Sequence, residues 1–117
     1  MNRMSEELSQ YFPEDEIKPA EKLVKFFHGQ FLISDELSDT DAILLTTYML
    51  SNKQKSPKVK SDDVRNLFTQ SGRSTDAFSK AIYELVKRAK KSFMTKDEEG
   101  KLSLTFTGLS KTKEMLK

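Results

Sequence analysis

His28 is the only histidine of the chain and stands in the run FFHG. A lone imidazole, with no second nitrogen ligand or nucleophile close by in sequence, supports neither a zinc site nor a proton relay and reads as structural. The carboxylates include two consecutive runs: Glu14, Asp15 and Glu16, and then Asp97, Glu98 and Glu99 before Gly100. Neither run has the alternating spacing of a calcium loop, so both read as solvated turns and no metal site is predicted. With no cysteine there is no thiolate ligand, no disulfide and no thiol nucleophile. A glycine-rich phosphate loop, a nucleophile elbow and paired carboxylates framed by apolar sequence are all missing too. No enzyme and no cofactor are therefore expected.

What remains is positive charge in a patterned setting, above all in residues 69–95, TQSGRSTDAFSKAIYELVKRAKKSFMT. The net charge of +2 hides an asymmetry. Residues 1–37 carry four cations against eight acids, a net of −4, and residues 38–117 carry the other 16 cations against 10 acids, a net of +6. Two readings fit the basic section: a polyanion as partner, or a solvated surface that keeps the protein dispersed. The KRAKK run at 87–91 fits either, because cations also complement the negative end of a helix dipole.

The elements that would position these cations follow from caps and periodicity. At 117 residues the chain is one domain by size, with eight Phe and three Tyr as its large core groups. The first 18 residues, acidic and broken by Pro13, read as a flexible arm, and 19–117 as a single domain. Pro19 can start a helix that runs to about residue 28 and ends near Gly29, with Leu23, Val24, Phe26 and Phe27 mostly on one side. Ser38 or Asp39 caps a second helix through Ile43, Leu44, Thr47, Tyr48 and Leu50, ending near Asn52. Pro57 forbids its continuation. Ser61 is expected to cap a third helix, with Val64, Leu67 and Phe68 buried and Gly72 closing it. Ser74 or Thr75 opens a fourth, in which Phe78, Ala81, Ile82 and Leu85 step by three and four. The period then falls to two: SFMT and KLSLTF flank KDEEG as a hairpin, and a last helix runs from Thr107 or Ser110 to Leu116.

Residues 39–116 resemble a winged helix-turn-helix domain of the prokaryotic type. The resemblance rests on the order helix, short strand at Lys58 to Lys60, helix, helix, hairpin, and on KLSLTFTGLSKTKEML, where Leu104-Thr105 followed by Gly108 and a basic helix matches the LTxxG ending frequent in that family. The fold class it implies is mainly α: a three-helix core plus a β-hairpin wing, with an extra N-terminal helix and a C-terminal helix.

The resemblance also implies duplex DNA as the partner, as for a small transcriptional regulator, with the fourth helix in the major groove. On that expectation Arg73 is placed for a bidentate contact to guanine, and Ser74, Thr75, Ser79 and Tyr83 lie on the outward, reading side. Lys80 and Lys87 are expected on phosphates, as are Lys58 and Lys60 before the third helix. Lys96 and Lys101 flank an acidic wing tip whose Asp97, Glu98 and Glu99 would repel phosphate. The alternative is an adaptor, a winged-helix module that binds protein and ignores DNA.

The N-terminal helix carries more apolar surface than one side of a small domain uses. Either it pairs with a second copy or it folds back on its own core; a homodimer through residues 19–33 is the expectation, since a dimer can read two half-sites. No apolar run approaches the roughly 18 residues of a membrane span, and MNRMSEELSQYF lacks the apolar stretch of a secretory signal, so a cytoplasmic protein is predicted.

Overall fold

The computed structural model describes residues 7–87 and 92–117. A helical turn at residues 7–8, a 3-10 turn Glu14–Glu16 and helix α1 (Ile17–Glu21) lead into a hairpin of β1 (Val24–Phe27) and β2 (Gln30–Ile33). Then follow α2 (Asp39–Gln54), β3 (Val59–Lys60), α3 (Ser61–Thr69), α4 (Thr75–Lys87), β4 (Met94–Lys96), β5 (Lys101–Leu104) and α5 (Phe106–Met115). Among the described residues the fold thus combines five α-helices with two small antiparallel sheets, β1-β2 and β3-β5-β4.

The core is built around α2. Ser38 Oγ accepts from Asp41 N–H at 3.2 Å and fixes its start, and Lys55 closes its end in the left-handed region at φ 55°. Every residue from Ala42 to Met49 is buried, including Thr46 and Thr47, whose hydroxyls donate back to the Ala42 and Ile43 carbonyls at 2.7 and 2.8 Å. That local bond removes the penalty of burying a hydroxyl. Helix α2 is wrapped: α3, α4 and α5 pack on it, and so does the N-terminal segment. Leu8 and Phe12 are buried, the Phe12 ring lies 6.0 Å from that of Tyr48, and Asn52 Nδ2 donates to the Tyr11 carbonyl at 2.7 Å. Residues 7–18 are therefore part of the folded body, which corrects the expectation of a flexible arm there; residues 1–6 lie outside the described residues.

Glu16, expected in solvent, is buried instead. It accepts from Tyr48 Oη at 2.5 Å and pairs with Lys113 Nζ at 3.2 Å, joining the N-terminal segment to α2 and α5. Burial first, then the bond to Glu16, raises the Tyr48 phenol above its ordinary value. Chiefly the bonds to Glu16 and Tyr48 raise the Lys113 ammonium above its own.

The helix expected over residues 19–28 is a second correction. Only Ile17–Glu21 is helical; beyond it Val24 is in, Lys25 out, Phe26 half-buried and Phe27 out, which is the period of a strand. His28 and Gly29, at φ 52° and 77°, form the two-residue turn, and both central residues of such a turn need positive φ. Phe31 and Ile33 on β2 face the core, the Phe31 ring packed by Tyr11 at 4.7 Å and Phe26 at 5.1 Å. The apolar surface that motivated a helical dimer interface is thus mostly consumed within one chain.

Helices α3 and α4 cross under the Phe68 and Phe78 rings, 5.6 Å apart. Ser61 is the first residue of α3 rather than its cap, Lys60 holds the cap position, and no side-chain cap bond is made. The LTFTG run is explained by packing: Thr105 Oγ1 accepts from Gly108 N–H at 3.0 Å and donates to the Ser92 carbonyl at 2.6 Å, while Thr105 N–H donates to the Phe93 carbonyl at 3.0 Å. One threonine both caps α5 and ties it to the segment entering β4.

Candidate nucleic-acid interface

Helix α4 has three faces. Phe78, Ala81, Ile82 and Leu85 are buried. Thr75, Ser79, Tyr83 and Lys87 step by four along a second face and form one wall of an open groove of about 760 Å³. Ser61 and Arg65 of α3 and Lys96 of β4 supply other walls, and Phe78, Ile82 and Val86 the floor. Among the described residues no acidic side chain lines it. The groove shares Ser61 and Lys96 with a smaller hollow of about 440 Å³ that runs to Lys60 and Lys101 at the base of the β4-β5 hairpin.

Tyr83 is 59% exposed, and the Lys87 ammonium sits 4.4 Å from its ring centroid and donates to its hydroxyl. The ring attracts the ammonium and holds it at this wall of the groove. Ser74 Oγ accepts from Ala77 N–H at 3.0 Å, so this residue works first as the cap of α4, with its hydroxyl proton still available to another acceptor.

Lys80 belongs to the third face, with Asp76 and Glu84, and lines a separate hollow together with Asp39 at the start of α2. It is not gathered with the groove cations. Lys58 pairs with Asp97 at 3.2 Å. Backbone N–H bonds from Lys101 and Glu99 to Asp97 Oδ1, both 2.9 Å, together with Lys58, hold that carboxyl below its ordinary value. Asp97 is thus the organiser of the hairpin turn as well as a counter-charge. Lys101 pairs with Glu99 at 3.6 Å. Lys60 and Lys96 have no ion-pair partner among the described residues.

Arg73 requires a correction. Its Nη1 lies 2.5 Å from Asp39 Oδ1, its Nη2 donates to the Ser34 and Leu37 carbonyls at 2.8 Å each, and its guanidinium packs 5.5 Å from the Phe68 ring. The side chain is only 12% exposed. A guanidinium so engaged has no free fork for a guanine edge; it pins the loop before α2 to the start of α4. Arg65 was missed by the sequence reading, although its place one turn after Ser61 and off the Val64, Leu67 and Phe68 face was the signal. It pairs with Asp62 at 3.0 Å. The KRAKK cations beyond Lys87 lie outside the described residues.

Comparison of the chain with protein-family models, with curated proteins and with solved structures returns no match.

Proposed function

We propose that this chain is a duplex-DNA-binding regulator of winged-helix type, with α4 as the reading helix and the β4-β5 hairpin as the wing. The reading is supported by the order α2, β3, α3, α4, β4, β5 and by the antiparallel sheet β3-β5-β4 that anchors the hairpin. The observation that carries it is the groove itself. Thr75, Ser79, Tyr83 and Lys87 line it from α4, Arg65 and Lys96 face it from two other elements, and among the described residues no carboxylate does. Hydroxyls on the helix suit base edges, and cations around the rim suit phosphates.

The number of free cations sets the expected salt response. Lys60, Lys87 and Lys96 carry no carboxylate partner among the described residues, whereas Lys58 and Lys101 do. Three phosphate contacts give a slope of log K against log salt of about −3 per protomer. Titration of the full chain with a mixed-sequence duplex at several salt concentrations tests this. Binding absent at low salt, or a slope near zero, would sink the DNA reading.

A second reading is favoured by the groove floor. Phe78, Ile82 and Val86 offer apolar area that phosphate and base edges do not use, and this suits a protein adaptor that seats an amphipathic segment. An adaptor would be indifferent to duplex at physiological ionic strength.

A further inference from the structure

The groove beside α4 has two kinds of lining, and the duplex proposed above matches only one. Its volume of about 760 Å³ falls within the roughly 300–1,000 Å³ of small-molecule sites. Phe78 and Ile82 are nearly buried and Val86 is half-buried, and together they make an apolar floor. A floor packed so closely accepts a flat body laid upon it, not a bulky group pushed into the core. Beside it stands a paired donor. The Lys87 ammonium donates to the Tyr83 hydroxyl, so the phenol keeps its own proton for an acceptor and the ammonium has two donors left. Lys96 adds charge from β4 and has no ion-pair partner among the described residues, whereas Arg65 is shared with Asp62.

We propose that the groove also takes a planar aromatic monocarboxylate as a regulatory ligand, its ring system on the floor of Phe78, Ile82 and Val86 and its carboxylate met by Lys87 and Tyr83, with Lys96 as further counter-charge. The occupant follows from the two linings together. A small inorganic anion would leave the floor uncovered, a neutral ring would leave the cations unmatched, and a cation would meet like charge with no carboxylate among the described lining residues to offset it. Lys87 and Lys96 are two of the three cations assigned above to phosphates, so bound carboxylate and bound duplex exclude each other. This regulatory half rests on the DNA reading; binding of the carboxylate itself does not.

Amide NMR spectra of the full chain, without DNA and titrated with β-naphthoate to millimolar concentration, read the site directly. The amides of Ser79, Tyr83, Val86 and Lys96 should shift, and those of Lys80 and Glu84, on the other face of α4, should not. Lys87→Ala with Lys96→Ala should weaken binding at least about tenfold, since hydrogen bonds to charged groups are lost. Val86→Glu, which sets a carboxylate at the floor, should abolish it, and Lys80→Ala should bind like the parent. The uncharged β-naphthylmethanol should bind about tenfold more weakly than β-naphthoate, and acetate, which has no ring, should not bind at these concentrations. In a second titration, β-naphthoate should raise the apparent Kd for a mixed-sequence duplex as its own site fills. β-Naphthoate bound while duplex is not would uphold the ligand site and sink the DNA reading. Duplex bound while β-naphthoate is not would leave the groove to DNA, and neither bound would leave it to the protein segment of the second reading; both results overturn the proposal. So does a duplex affinity unchanged at saturating β-naphthoate, or a double lysine variant that binds it like the parent.

Discussion

Arg73 and Asp39, 34 residues apart in the chain, meet at 2.5 Å and bring the N-terminus of α4 against the N-terminus of α2. A cation at the head of a candidate reading helix invites a base-contact role, yet here its donors go to Asp39 and to the Ser34 and Leu37 carbonyls. Arg73→Ala should therefore lower stability by roughly 2 kcal/mol or more, because carbonyls and a carboxylate lose their donors. Arg73→Lys should not recover it, since one ammonium cannot reproduce the fork. Urea denaturation measures the change. A parental midpoint with weakened DNA binding would return Arg73 to the reading surface.

The groove cations make a separate prediction. Lys87→Ala together with Lys96→Ala should leave the melting temperature nearly unchanged, since both side chains are exposed and neither pairs with a carboxylate among the described residues. The salt slope of duplex binding should shrink by about two units. Lys80→Ala, on the face shared with Asp76 and Glu84, should change the slope little. The reverse ranking would move the proposed DNA-facing side of α4 by one helical stripe.

Gly108 is a packing requirement. A Cβ added there would lie 1.9 Å from the Phe93 carbonyl oxygen, a backbone atom that cannot swing aside. Gly108→Ala should cost about 3 kcal/mol by forcing α5 off the entry to β4. Thr105→Ala, which removes the cap and the bond to the Ser92 carbonyl, should cost about 1 to 2 kcal/mol. Parallel thermal melts compare the two. A well-folded Gly108→Ala protein with parental stability would mean that α5 sits further from Phe93.

Alkaline pH should weaken the fold through Glu16, Tyr48 and Lys113. Both Tyr48 and Lys113 bind their protons more tightly in the folded state, so the stability they contribute is fully present below their unfolded values and is lost as pH rises through the folded ones. The ordinary values are 10.0 for the phenol and 10.5 for the ammonium, so the loss begins near pH 10 and grows above it. Melting temperature followed from neutral to about pH 11 should fall, and less steeply in Tyr48→Phe, which has one group fewer to titrate. An equal slope in both proteins would show that the triad does not govern the alkaline limb.

Helices α2 to α5 and the β4-β5 hairpin were legible because their signals are local. Ser38 and Ser74 cap within three residues, Gly72 and Gly100 take positive φ where the chain turns, and Phe78, Ala81, Ile82 and Leu85 repeat at helical spacing, whereas α5 starts at Phe106 under a Thr105 cap, ahead of the expected Thr107 or Ser110. The β1-β2 hairpin was not, because Leu23, Val24, Phe26 and Phe27 fit a helical face as well as a strand. The deciding signal was the His28-Gly29 turn, and a positive φ at histidine is uncommon enough to be passed over. Glu16 was misplaced for a different reason: nothing near it in sequence reveals that Tyr48 and Lys113 will supply its donors.

By itself the sequence determined the caps at Ser38 and Ser74, the turns at Gly72 and Gly100, the inward faces of α3 and α4, and the excess of positive charge after residue 37, since each depends on residues a few positions apart. Only the tertiary structure decided which cations are available. Asp97 takes Lys58, Asp39 takes Arg73 and Glu16 takes Lys113, while Lys87 and Lys96 converge with Arg65 on one groove. An ion pair forms only at a few ångströms, and that distance is set by the packing of elements far apart in the chain. The wrapping of α2 has the same origin: Tyr48 became interior where Phe12 packs beside its ring and Glu16 accepts from its hydroxyl.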